Sequence, residues 1–287
     1  MAILTERVDR VLIVIISRFE ARNAIDAEHA DALYDAFVAF EGDEALDVAI
    51  LYGEGGAFCA GADLKRLAKR QATGPDRSLD FPASGLKVPR APMGPTRLTL
   101  SKPVIAAIEG PAVAGGMELA LWADCRVMAV GSYMGVYNRR WGLPLSDGGT
   151  VRLPRLVGQG RAIEIILTGR KIDADECLRI GLCERVVPKG NAREAAEQMA
   201  LQIGQFPQAC LRADLRACRL QQGLSERTAL EMEWRNCKGI FKKEGATGAS
   251  KFALGAGRHG DPIDTLSDPA RSSSVQSNSL PLPPWPA

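Results

Sequence analysis

Two glycine-rich turns carry most of the chemistry this sequence offers, with carboxylates as the acid–base groups at hand. One run is GPAVAGGMELA (110–120). A carboxylic acid set against apolar surface keeps its proton to higher pH, which suits it to proton transfer near neutrality. The other glycine-rich run is GEGGAFCAGADLK (53–65). Each run lies between a strand-like apolar stretch and a helix-like one. Small residues there let the main chain approach a ligand, and the helix-opening N–H groups are free to donate. Two such donors converging on one oxygen make an oxyanion hole. A tight turn with no ligand is the other reading of each run.

Histidine is scarce: His29 and His259 stand against 34 Asp and Glu residues. Acid–base work therefore falls to carboxylates, main-chain dipoles or cysteine. Competing motifs fail on spacing. After the strand-like 47–52, a dinucleotide fingerprint needs a glycine where Phe58 stands. There is no GxxxxGK[ST] phosphate loop, no GxSxG elbow and no HExxH metal motif. The seven cysteines are odd in number and lack a CxxC pair, so no disulfide framework or zinc site is expected. Lys and Arg total 36, giving a net charge of +2, which speaks against a nucleic-acid-binding protein. No apolar run reaches the roughly 18 residues of a membrane span, and the charged N-terminus is unlike a signal peptide. A soluble cytoplasmic protein is expected.

These residues need elements to position them. Val8–Ser17, Asp47–Tyr52, Val104–Glu109 and Cys125–Val130 read as apolar strands. Asp26 reads as the cap of a helix to about Phe40, with Ala30, Leu33, Phe37 and Phe40 on one face. A short helix starts around Ala62, and a glycine-opened one runs over Gly115–Asp124. Residues 72–97, rich in proline and glycine, read as a loop that could wall a pocket. From about Arg161 the pattern is helical, with stretches near 192–204, 207–222 and 225–243. The Ser- and Pro-rich end cannot bury enough apolar surface to order itself. The expected organisation is an α/β core with the site in 1–190, a helical region in 191–262 and a disordered tail in 263–287.

Several of these motifs, in this order, resemble the crotonase family of enoyl-CoA hydratases and isomerases: SRFEARNAI, GEGGAFCAGADLK, SKPVIAAIEGPAVAGGMELALWADCRVMA, RRWGLPLSDGGTVRLPRLVG and LTGRKIDADECLRIGLCERVVP. The resemblance spans about residues 5–260. It implies a spiral of ββα units with a C-terminal helical region that assembles trimers or hexamers. It implies an acyl-CoA thioester substrate, coenzyme A arriving as part of that substrate and no further cofactor or metal. The N–H groups of Ala62 and Gly115 would hold the thioester oxygen. Ala21, Arg22 and Ala24 match one CoA-contacting turn, and Ala60, Asp63 and Leu64 match the adenine-contacting turn.

The carboxylates decide the reaction. Glu118 matches the first of the two glutamates of typical hydratases, while Asn138 stands where the second is usual. An amide neither gives nor takes a proton at neutral pH. Asp147 lies where some dienoyl-CoA isomerases of the family place an aspartate, although capping a helix or bracing the glycine turn is its other reading. The expected activity is that of a hydratase using Glu118. An enoyl- or dienoyl-CoA isomerase using Glu118 and Asp147, or a non-catalytic acyl-CoA-binding scaffold, is the alternative.

Overall fold

The computed structural model describes residues 2–71, 79–82, 88–255 and 257. Much of the loop read at 72–97, the tail beyond Pro262 and His259 lie outside them.

The first apolar stretch is the second arm of a hairpin. Strand β1 (Ile3–Val8) pairs antiparallel with β2 (Val11–Ile16) across Asp9 and Arg10. β1 is exposed along most of its length, whereas β2 is buried. Strands β3 (Val48–Gly53), β4 (Val104–Ile108), β6 (Cys125–Ala129) and β9 (Arg185–Val187) follow in parallel, giving the order β1-β2-β3-β4-β6-β9. Their near-continuous apolar runs are those of strands covered on both faces.

One face packs Val14, Ile16, Leu51 and Ala106 against Leu33, Phe37 and Phe40 of α1 (Ala27–Gly42). Asp26 caps α1 as expected, accepting from the His29 N–H at 3.2 Å. The other face packs Ile13, Ile15, Ile50 and Ile105 against Ala196, Met199 and Ala200 of α7 (Ala192–Gly204). The first helix of the C-terminal region is thus a layer of the sheet itself.

A second, three-stranded sheet joins β5 (Pro111–Val113), β7 (Tyr133–Gly135) and β8 (Lys171–Asp173). The chain leaves β4 through Gly110 to form β5, then turns into α3 (Gly115–Trp122); it leaves β6 in the same way to form β7. Gly110 has φ +67°, and a Cβ there would stand 2.1 Å from the Gly56 carbonyl oxygen, so the crossing admits only glycine. These repeated strand–strand steps bring the ends of the 53–65 and 110–115 segments together.

The remaining helices are α2 (Leu64–Gln71), α4 (Gly149–Val157), α5 (Gln159–Thr168), α6 (Ala174–Arg179), α8 (Gln208–Leu220), α9 (Glu226–Ile240) and α10 (Ala246–Ala253). Helix α8 is anchored by Arg212 to Asp47 at 2.9 Å and by Arg219 to both oxygens of Asp124. Neither α9 nor α10 buries a residue. Among the described residues no helix is long and apolar enough to cross a membrane.

Candidate active site

The site is assembled where the two glycine-rich turns touch. A Cβ on Gly61 (φ +90°) would stand 2.9 Å from the Gly115 nitrogen. Ile25 bridges Ala62 in parallel fashion: its N–H donates to the Gly61 carbonyl and its carbonyl accepts the Asp63 N–H, both at 2.8 Å. That pattern turns the N–H of Ala62 away from Ile25, and Ala62 is exposed. Gly115 opens α3, where the first N–H groups have no partner within the helix. Among the described residues neither the Ala62 nor the Gly115 N–H donates a hydrogen bond.

Ala114, just before Gly115, holds φ +54° and ψ −125°. That backbone state costs a residue with a side chain about 1–3 kcal/mol and recurs where a functional group must be aimed. Its N–H is fixed by the Gly135 carbonyl at 2.9 Å. Close packing extends around the turn. A Cβ on Gly115 would meet the Met93 sulfur at 2.5 Å, and one on Gly116 would meet the Cys59 carbonyl oxygen at 2.1 Å. Met93, from the 72–97 segment read as a possible pocket wall, therefore lies against the Gly115 end of the site.

Every residue of α3 is buried, and Glu118 is 2% exposed. Its Oε1 accepts the N–H groups of Asp147 and Gly149, each at 2.8 Å. Burial, and then the neighbouring Asp147 carboxylate, push the Glu118 carboxyl up to about 7, while the N–H donors pull the other way. Asp147 is also buried, and burial raises its carboxyl. Its Oδ1 accepts the Met93 N–H at 2.9 Å and the Thr96 hydroxyl at 2.6 Å; the Ser146 hydroxyl reaches Oδ2 at 3.3 Å. The structure thus brings Glu118 and Asp147 together at the N-terminus of α4. Arg152, one turn into α4, donates to the carbonyls of Asp147 (2.9 Å) and Thr96 (2.6 Å).

The two turns read as CoA-contacting are joined to each other. The Ala60 N–H donates to the Arg22 carbonyl at 3.0 Å, beside the Ile25 bridge. Arg22 and Asn23 both have positive φ, and Arg22 is exposed. Asn23 is fully buried; its amide donates to the carbonyls of Glu54 (2.8 Å) and Ala57 (2.6 Å) and accepts the Arg18 N–H at 2.8 Å. Arg18 donates to Ala24's carbonyl at 2.9 Å and to Asp63 at 2.8 Å. Burial alone would raise the Asp63 carboxyl, yet Arg18 and the N–H groups of Arg66 and Lys65 hold it below its ordinary value. Asp63 thereby caps α2. Ala21, Arg22, Ala24, Ala60, Asp63 and Leu64 thus lie on two hydrogen-bonded turns, Ala24 buried and Leu64 37% exposed.

A sequence model described as enoyl-CoA hydratase/isomerase matches residues 6–253. The chain belongs to the enoyl-CoA hydratase/isomerase family. It is 35% identical to an enoyl-CoA hydratase of Mycobacterium tuberculosis, over 80% of this chain and 85% of that one. It is 40% identical to the carnitinyl-CoA dehydratase of Proteus mirabilis, over 67% and 70% of the two chains. Among solved structures, an enoyl-CoA hydratase from Mycobacterium tuberculosis H37Rv superposes with a TM-score of 0.79 at 35% identity, covering 88% of this chain and 96% of that one. The two sheets, the strand–strand–helix steps and the C-terminal helices are therefore the crotonase fold.

In this member of the family, Asn138 lies in a short 3-10 helix (Tyr137–Trp141) that follows β7. It is 7% exposed; its Nδ2 donates to the Leu143 carbonyl at 2.9 Å, and its Oδ1 has no partner among the described residues. Arg140 stacks on Tyr137 at 3.8 Å, and Arg139 donates to the Ile166 carbonyl, so both brace this segment. Cys59 is fully buried, and burial pushes its thiol up to about 12, which suits a filler rather than a nucleophile. Arg152, Thr96, Arg18 and Asn23 are the residues that sequence reasoning missed. No sequence motif pointed to the first; in the structure a Cβ on Gly148 (φ +95°) would stand 2.1 Å from an Arg152 nitrogen.

Proposed function

We propose that this protein adds water to, or removes it from, the 2,3-position of an acyl-CoA thioester, with Glu118 as the acid–base group. The observation that carries this reading is Glu118 itself: buried, held through Oε1 by two N–H groups, and pushed up to about 7. With Oε1 occupied, Oε2 moves the proton. In the hydration direction, Glu118 takes a proton from water as the water oxygen bonds to C3. The electron pair of the double bond passes through C2 to the thioester oxygen, which accepts hydrogen bonds from Ala62 and Gly115. Such donors contribute about 3–4 kcal/mol each in acyl-transfer sites. The enolate then collapses, C2 takes the proton from Glu118, and the carboxylate is regenerated. One carboxylate thus serves both transfers, which suits a site with Asn138 in place of a second acid. The reaction balances with water and the thioester alone.

The rim of Ala21, Arg22, Ala24, Ala60, Asp63 and Leu64 receives the coenzyme, with the exposed Arg22 beside its phosphates. The exposed Leu230, Trp234, Phe241, Phe252 and Leu254 of the outlying helices support assembly into a homotrimer or hexamer, which sedimentation equilibrium tests. A soluble, cytoplasmic enzyme is the matching localisation.

A second reading follows from the raised carboxyl of Asp147 beside Glu118: the pair would shuttle a proton along a 3-enoyl- or dienoyl-CoA. The deciding experiment follows 2-enoyl-, 3-enoyl- and dienoyl-CoA thioesters separately by chromatography and mass, with wild type, Glu118→Gln and Asp147→Asn. Gain of 18 mass units from the 2-enoyl thioester, lost in Glu118→Gln, supports the hydratase. Positional isomers formed without mass change, and lost in Asp147→Asn, support the isomerase. Binding of all three without turnover leaves the scaffold.

A further inference from the structure

We propose that Arg152 is a positioning residue for the acid–base step, its guanidinium clasping the two turns that set Glu118 and the Gly115 end of the site. The proposal rests on the reading of Glu118 as the acid–base group and adds a residue to it.

The clasp closes a ring of four hydrogen bonds. Arg152 Nη1 donates to the Asp147 carbonyl (2.9 Å) and Nη2 to the Thr96 carbonyl (2.6 Å). In return, Asp147 Oδ1 accepts the Thr96 hydroxyl (2.6 Å) and the Met93 N–H (2.9 Å). The 93–96 turn and the 147–149 turn are therefore stitched together from both sides. Each turn reaches the chemistry by its other edge. The N–H groups of Asp147 and Gly149 grip Glu118 Oε1. The side chain of Met93 lies where a Cβ on Gly115 would be, beside the candidate oxyanion donor. A single side chain thus sets the spacing between the carboxylate and the oxyanion turn.

The geometry demands arginine. Two carbonyls on separate turns are met by two nitrogens of one planar fork, which the point charge of a lysine does not reproduce. The glycines agree: a Cβ on Gly148 would collide with Nη1, and one on Gly149 would stand 3.0 Å from Glu118 Oε1. Arg152 also brings charge. Burial lowers its guanidinium from the usual value, and the carboxylates of Glu118 and Asp147 oppose that fall, so the cation faces both. Arg155 and Arg219 face it from α4 and α8, and Arg97 faces Asp147. Loss of the Arg152 charge leaves the buried pair less compensated, and Glu118 holds its proton to higher pH.

The test compares wild type, Arg152→Met and Arg152→Lys. The Glu118 carboxyl is titrated by 13C NMR, its signal assigned by its absence in Glu118→Gln, and turnover of a short 2-enoyl-CoA is measured in parallel. In Arg152→Met the Glu118 midpoint is expected to rise by about one pH unit or more, as for loss of a nearby opposite charge. Its kcat is expected to fall about 100-fold, the scale of a small misplacement, with KM moving under about three-fold because the CoA rim is untouched. Arg152→Lys is expected to restore the midpoint while recovering only part of kcat. A midpoint and kcat unchanged in Arg152→Met overturn the proposal, as does a lowered melting temperature with the midpoint unmoved. Should Arg152→Met fail to fold, Arg152→Gln carries the same expectations. Full activity in Glu118→Gln overturns the parent reading alone, since the titration still reports whether Arg152 governs Glu118.

Discussion

Asp147 holds Glu118 with one hand and opposes its charge with the other: its N–H donates to Glu118 Oε1 at 2.8 Å, while its carboxylate raises the Glu118 carboxyl. The N–H fixes the geometry, and the carboxylate together with burial keeps the proton available near neutrality. A glutamate on an exposed helix would have neither property.

The raised carboxyl makes stability depend on pH. Glu118 ordinarily titrates at 4.5 and is pushed up to about 7 when folded. The folded state therefore binds this proton more tightly than the unfolded chain. The stabilisation it gives is complete below pH 4.5 and is lost as pH rises through 7, a loss of roughly 3 kcal/mol. Glu118→Gln lacks this dependence. Urea denaturation of both proteins at pH 5 and pH 8 is expected to show wild type losing ground to the variant across that range. Parallel losses would contradict it.

The seating of α3 on the 53–65 turn is tested at two glycines. Gly116→Ala sets a Cβ 2.1 Å from the Cys59 carbonyl oxygen, whereas a Cβ on Gly239 in α9 meets nothing within 4 Å. Gly116→Ala is expected to lose about 3 kcal/mol or more, since main chain must move to admit it. Gly239→Ala is expected to be neutral or to gain about 0.5–1 kcal/mol. Calorimetry on the two variants gives the comparison.

The rim proposed for the coenzyme rests on the buried side chain of Asn23. Asn23→Ala strands two carbonyls and one N–H, with a cost of about 1–3 kcal/mol for each group left unsatisfied. Thermal melts are expected to show the loss. Titration calorimetry with free CoA is expected to show weaker binding, because the 21–24 turn loses its side-chain tether to the Glu54 and Ala57 carbonyls. Unchanged CoA affinity in a folded Asn23→Ala protein would detach the rim from this knot.

How far the sequence alone carries varies by element. Helix α1 is visible from Asp26 and the spacing of Ala30, Leu33, Phe37 and Phe40, because a helix with one buried stripe writes its period directly. The motif-bearing turns 53–65 and 110–120 are visible because only glycine fits there. β1 is not visible as a separate strand: it faces water, so its Thr5, Glu6 and Arg7 carry no burial pattern. The three-residue strands β5, β7, β8 and β9 are too short to show a period. The carboxylates Glu118 and Asp147 are legible as residues, but their pairing is not, because 29 positions separate them and the link is a main-chain N–H. The Arg152 clasp is hidden for the same reason: its partners are carbonyls, which every residue has.

The central claim is that Glu118 alone carries both proton transfers. The direct measurement is the hydration of a short 2-enoyl-CoA by Glu118→Gln, with folding checked by circular dichroism. An amide keeps the shape and cannot take the proton, so kcat is expected to fall by about 10²–10⁴-fold while CoA affinity stays within about three-fold. Turnover equal to wild type in the folded variant would contradict the account.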